Sequence, residues 1–127
     1  NGGADNDVLY GEGGNDAIDG GAGVDYVSGG AGVDTLTGGT GNDTFHIVAG
    51  QGSTSQATPE RINDFEGAGT GSGGNQDIIL FDVAGTGALT KVAGNLWALT
   101  DSAAAGVTEY IQIVGGDPVK DLDFFFV

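Results

Sequence analysis

The chain has 127 residues, of which 27 are Gly, 18 are Asp or Glu and three are Lys or Arg; that length suits one domain or one elongated module. A formal charge of −15 leaves no basic surface for nucleic-acid phosphates or anionic membranes, and attracts cations instead. The absence of Cys excludes disulfides, thiolate metal sites and cysteine nucleophiles, and no apolar run approaches the roughly 18 residues of a membrane helix.

No amino-terminal signal peptide is visible, and the chain opens at Asn1 in the middle of a pattern, which predicts a longer parent protein. From Gly2 it reads GGADNDVLY, GEGGNDAID, GGAGVDYVS, GGAGVDTLT, GGTGNDTFH, five nine-residue units without insertion or deletion. Asp7, Asp16, Asp25, Asp34 and Asp43 hold the sixth position, and Leu9, Ile18, Val27, Leu36 and Phe45 the eighth. Five in-phase matches at two positions mark a structural repeat. Six Gly-rich residues suit a tight turn with positive φ values. The next three suit a short strand that points the eighth-position side chain inward. Turn and strand repeated give flattened coils with two units per turn. Units one, three and five then stack on one edge, and units two and four on the other.

Such a coil has a thin core. Residues 1–46 carry eight acidic side chains and no Lys or Arg. Stacking brings sixth-position carboxylates to within about 4.8 Å, one strand spacing, where like charges repel. A hard divalent cation between turns reverses the sign. Calcium takes oxygen ligands from carboxylates and carbonyls in a forgiving geometry, whereas magnesium demands a tighter octahedron and zinc wants His or Cys. The predicted ion is calcium.

The units resemble the G-G-x-G-x-D-x-U-x nonapeptide of the RTX (repeats-in-toxin) family, a calcium-binding repeat. The resemblance implies an all-β fold, a parallel β-roll (right-handed β-helix) over 1–48, followed by an irregular β cap over 49–127. Units 20–28, 29–37 and 38–46 match at every defined position, while Asp5 and Glu12 stand where two of the glycines would be. In the family, one loop gives carbonyls from its first and third positions plus its Asp. The loop two units on gives carbonyls from its second and fourth positions plus its own Asp. Three complete calcium sites follow by this resemblance. Gly2, Ala4 and Asp7 join Gly21, Gly23 and Asp25; Gly20, Ala22 and Asp25 join Gly39, Gly41 and Asp43; Gly11, Gly13 and Asp16 join Gly30, Gly32 and Asp34. Asp25 would bridge two ions, and further half-sites would face upstream sequence and the segment after Val48.

After Val48 the period stops. Residues 49–59 and 66–76 are predicted loops, and Glu60–Phe65 suggests one helical turn. Strands are predicted at Thr44–Val48, Asp77–Asp82, Leu89–Val92, Leu96–Thr100, Glu109–Val114 and Asp123–Val127 by length and β-branched content. NDTFHIV, RINDF (61–65) and DIILFD (77–82) also resemble the carboxy-terminal part of RTX modules, where the roll runs into its cap. Asp64 and Asp77 offer one more ion position, although turn and strand-edge roles are favoured for both. The chain ends DLDFFFV. It suits a final core strand, and it also resembles the uncleaved export signal of type I secreted RTX proteins, an acidic residue followed by several apolar ones.

No phosphate loop, triad or nucleophile elbow is present in the sequence. His46, the single His, lies beside a core position, so the module is expected to be non-catalytic. Trp97, Tyr10, Tyr26 and Tyr110 suit core or cross-strand packing better than a sugar platform. The leading expectation is a calcium-responsive folding and export module of a secreted, extracellular bacterial protein. Its partners would be calcium ions and the type I secretion machinery, with no nucleic acid and no membrane insertion. The alternatives are an accessory carbohydrate-binding module, like the repeat modules of alginate-modifying enzymes, and the end of an adhesin or surface-layer protein.

Overall fold

The computed structural model describes residues 1–66, 76–103, 108–115 and 124–127, and every regular element among them is a strand. Among the described residues no helix is long and apolar enough to cross a membrane. The repeats supply β1 (Val8–Tyr10), β2 (Ala17–Ala22), β3 (Tyr26–Ser28), β4 (Thr35–Thr40) and β5 (Thr44–Val48). Beyond them come β6 (Glu60–Phe65), β7 (Ile78–Asp82), β8 (Gly87–Ala93), β9 (Leu96–Asp101), β10 (Thr108–Gly115) and β11 (Phe124–Phe126).

Two sheets result, in the orders β1-β3-β5-β7-β11 and β2-β4-β6-β10-β9-β8. Odd-numbered units stack in one and even-numbered units in the other, as two units per turn require. Pairing is parallel throughout except in the hairpin β8–β9 and where β9 meets β10. The fold is all-β, with parallel sheets winding as a β-roll.

Eighth positions form two facing columns. Leu9 lies opposite Val27, Val27 opposite Phe45, and Phe45 opposite Ile79. In the other sheet Ile18, Leu36, Ile62 and Ile113 align in the same way. Val27, Leu36, Phe45, Ile62 and Ile79 are fully buried, whereas Leu9 and Ile18 in the first turn are half-covered. Burial of each such side chain contributes about 1.5–3 kcal/mol, so the core strengthens from the first turn toward the cap.

Glu60–Phe65 is a strand and not a helical turn. Ile62 and Phe65 are buried, Glu60 is buried, and Arg61 is exposed. Parallel pairing with β4, Leu36 opposite Ile62, outweighs the helix-compatible spacing of its apolar residues. The coil therefore continues past the end of the sequence period, because β6 and β7 stack on β4 and β5. The predicted strands beginning at Thr44, Asp77, Leu89, Leu96 and Glu109 all form, with ends moved by one or two residues. At the carboxy end Phe124–Phe126 pairs parallel with β7, and Asp123 lies outside the described residues, as do 67–75 of the predicted second loop.

The aromatic residues divide by face. Trp97 is buried in the core, and Tyr110 takes a hydrogen bond from Gln56. Tyr10 and Tyr26 pack at 5.9 Å between ring centroids, and Tyr26 in turn meets His46 at 5.7 Å. His46 lies 3.9 Å from Asp82 through Nε2 and 3.5 Å from the Ser28 hydroxyl through Nδ1, a cross-strand row on the sheet's outer face.

Candidate metal centre

The sixth-position aspartates form two ladders along the turn edges. The Asp7 amide donates to Asp25 Oδ1 at 2.8 Å, and the Asp25 amide donates to Asp43 Oδ1 at 2.9 Å. On the other edge the Asp16 amide donates to Asp34 Oδ1 at 2.9 Å. One carboxylate oxygen thus closes the backbone of the preceding turn. The other has no such use: Oδ2 of Asp7, Asp16, Asp25, Asp34 and Asp43 is buried without a hydrogen-bond partner. An orphaned buried polar atom costs on the order of 1–3 kcal/mol, more when charged. Five identical orphans at one repeat position leave an acceptor oxygen open in every unit.

The first-position glycines frame the same space. A Cβ on Gly20 would lie 2.5 Å from Asp25 Oδ2 and 2.5 Å from the Gly38 carbonyl oxygen. On Gly11 it would lie 2.5 Å from the Gly29 carbonyl oxygen and 2.7 Å from Asp16 Oδ2. Neither glycine has a positive φ. They are required for room, where a carboxylate of one loop faces a carbonyl of the next turn.

Glycine at the second and fourth positions is required by conformation. Gly39 and Gly41 take φ of 103° and 132°, and a Cβ on either would strike the carbonyls of Gly21 and Gly23 in the turn below. Glu12 holds the second position of its unit at φ 72°, so the turn forms there against the preference of an L-residue. The left-handed conformation costs roughly 1–2 kcal/mol, more than the roughly 0.4–1 kcal/mol of chain entropy that Gly adds to the unfolded state. Glu12→Gly is therefore expected to stabilise the chain in saturating calcium by up to about 1 kcal/mol, read from the denaturation midpoint.

The structure brings the three predicted residue sets together in neighbouring turns. Gly3 bridges Gly21 and Gly13 bridges Ala31, and Gly21 and Ala22 pair with Gly39 and Thr40. Among the described residues no three His, Cys, Asp or Glu side chains gather closely enough to hold a metal by themselves. An ion between turns thus needs backbone carbonyls beside its carboxylates, which is the chemistry calcium accepts.

Asp77 continues one ladder, accepting from the Asp43 amide at 3.0 Å. Its second oxygen accepts from the Glu66 amide at 2.8 Å, so unlike the repeat aspartates it has no orphan. Asp64, at φ 53°, accepts from the Gly38 and Gly39 amides at 3.2 and 2.9 Å. These are the favoured turn and strand-edge roles. Sequence reasoning left the fifth-position Asn residues unassigned. Asn6 and Asn15 accept from the Val24 and Val33 amides, and Asn42 from the Gln76 amide, each tying its turn to the next. It also left Glu60 and Glu109 unassigned, both 3 % exposed.

Burial pushes these carboxyls up. Asp77 rises to about 6, from burial first and then Asp43 and Asp64 nearby. Glu60 rises to about 8, from burial, Asp34 and Glu109. Asp34, Asp43, Asp64 and Glu109 are raised as well, each chiefly by burial. A carboxyl whose folded value lies above its unfolded one favours folding below the unfolded value, and that advantage is lost as pH rises through the folded value. The metal-free protein is therefore expected to lose stability from about pH 4, the ordinary carboxylate range, through 6 and 8. Far-UV circular dichroism of the metal-free protein between pH 4 and 9 checks this, with a β signal that grows toward pH 9 as the contrary result.

A family model for the RTX calcium-binding nonapeptide repeat, four copies long, matches residues 1–27 and again 20–46. Comparison with curated proteins gives no match. Among solved structures, the solution structure of the AlgE6R2 subunit from the Azotobacter vinelandii mannuronan C5-epimerase is similar, with a TM-score of 0.54 and 26 % sequence identity. The similarity covers 94 % of this chain and 91 % of that one. Residues 1–46 thus match the RTX calcium-binding nonapeptide repeat, and they are wound here as a parallel β-roll.

Proposed function

We propose that the chain is a non-catalytic calcium-triggered folding module of a larger secreted bacterial protein, and that it supports type I export. The observation that carries the reading is the row of five buried, unpartnered Oδ2 atoms. Gly2, Ala4 and Asp7 with Gly21, Gly23 and Asp25 would hold one ion. Gly20, Ala22 and Asp25 with Gly39, Gly41 and Asp43 would hold a second. Gly11, Gly13 and Asp16 with Gly30, Gly32 and Asp34 would hold a third. Extracellular calcium modules bind at about 10⁻⁴–10⁻³ M, so these sites stay empty where free calcium is far lower. The acidic repeats then remain open for passage through a narrow channel and close outside, which opposes backsliding.

Residues 123–127 would be the element recognised for export, and the pairing of Phe124–Phe126 as β11 is compatible with that role. Two variants of the full-length protein test the proposal: deletion of 123–127, and Ala at Asp7, Asp16, Asp25, Asp34 and Asp43. The deletion is expected to abolish secretion. The repeat variant is expected to emerge slowly, or unfolded and protease-sensitive. Normal secretion of the deleted protein overturns the export role.

A second reading is favoured by the similarity to the epimerase subunit along nearly the whole of both chains. The module would then accompany an enzyme that modifies an acidic polysaccharide and contact that polymer through bound calcium. Three basic residues in the chain leave little for direct polyanion binding. Sedimentation with the polymer, with and without calcium, decides between the readings.

A further inference from the structure

Outside the repeats, the most heavily buried acidic pair lies where the cap closes over the roll. Glu60 opens β6 one residue before Arg61, which pairs with Thr35, so it stacks on Asp34. Glu109 lies on β10, which pairs with β6 on its other side. Both side chains are 97 % buried, the complement of their 3 % exposure. Glu109 Oε1 accepts from the Gly50 and Gly52 amides at 2.8 and 2.9 Å. Its Oε2 is buried with no hydrogen-bond partner, the same signature as the five repeat aspartates.

Gly52 supplies an independent indication of space held open. Its φ is not positive, so the backbone conformation does not demand glycine. A Cβ there would lie 2.6 Å from Glu60 Oε2 and 3.7 Å from the Glu109 carboxyl carbon and its Oε1. The two carboxylates thus flank one point on the loop. The basic neighbour in sequence, Arg61, donates through Nε to Asn63 at 2.6 Å. Two buried like charges need a cation or a proton between them.

We propose that Glu60 and Glu109, roofed by the loop backbone at Gly50–Gly52, form a cation site in the cap, selective for a hard divalent ion such as calcium. It adjoins Asp34 at the end of the even-numbered ladder and uses residues from outside the repeats. An ion there ties three segments together: the loop after β5, the start of β6, and β10. The cap would then lock in the same calcium range as the roll.

The test is calcium stoichiometry of the full chain by equilibrium dialysis, on wild type, Glu109→Gln, Glu60→Gln and Asp25→Asn. Glu109→Gln and Glu60→Gln are each expected to lose one ion relative to wild type, while Asp25→Asn loses ions from the roll and keeps the cap ion. An unchanged count in folded Gln variants overturns the proposal and assigns a shared proton to the pair. Far-UV circular dichroism establishes folding. If the Gln variants do not fold, the count on Gly52→Ala decides, where loss of one ion supports the site and an unchanged count overturns it. Failure of the nonapeptide reading would look different, with Asp25→Asn leaving the count unchanged.

Discussion

Asp25→Asn is expected to remove two calcium ions from the roll, whereas Asp16→Asn removes one. Asp25 stands in the middle of the longer ladder, its Oδ1 closing the turn of Asp7 and its amide donating to Asp43. It is 2 % exposed and its Oδ2 has no partner. Asn keeps the acceptor that closes the turn and removes the charge, so the change isolates the ligand role. At ten times its dissociation constant, each ion adds about 1.4 kcal/mol by RT ln(1 + [L]/Kd). The Asp25 variant should thus lose about 2.8 kcal/mol and the Asp16 variant about 1.4 kcal/mol under those conditions. Calorimetric calcium titration of both variants measures the counts. Equal losses would contradict the placement of Asp25 between two ions.

Complete removal of calcium is expected to cost about 4 kcal/mol, the sum over three such ions. That is close to the whole stability of a small domain. The first turn should fail before the rest, because Leu9 and Ile18 are only half-covered while Val27, Leu36 and Phe45 are fully buried. Self-repulsion at a formal charge of −15 acts in the same direction. Denaturation midpoints measured across calcium concentrations should rise steadily through the millimolar range. Midpoints independent of calcium would remove the ions from the stability of this fold.

The roll was legible because its two requirements recur at fixed spacing, an Asp at the sixth position and an apolar residue at the eighth. The same pair persists where the period is lost. Glu60 and Ile62, then Asp77 and Ile79, keep the acidic-x-apolar spacing of Asp43 and Phe45. Loops of different length separate them, and the ladder bond from the Asp43 amide reaches 34 residues on, where the repeats reach 18. A search for the tripeptide instead of the nonapeptide would have placed β6 as a strand. Local pattern misled at 60–65, because the polar residues between Ile62 and Phe65 leave an apolar spacing of three, which a helix shares. Pairing with β4 settles the conformation, and pairing is not a local property. Glu60 and Glu109, on the paired strands β6 and β10, come from segments 49 residues apart, and no motif in the sequence links them. The fifth-position Asn residues were legible only in part, since units three and four carry Val24 and Val33 there.

Ions between the stacked sixth-position aspartates are proposed to hold the roll closed. Far-UV circular dichroism of the intact chain at neutral pH, first in excess chelator and then with millimolar calcium, tests this most directly. A largely unfolded spectrum is expected without metal and a β spectrum once calcium is restored, with no comparable recovery in magnesium. A β spectrum that persists unchanged in excess chelator would contradict it.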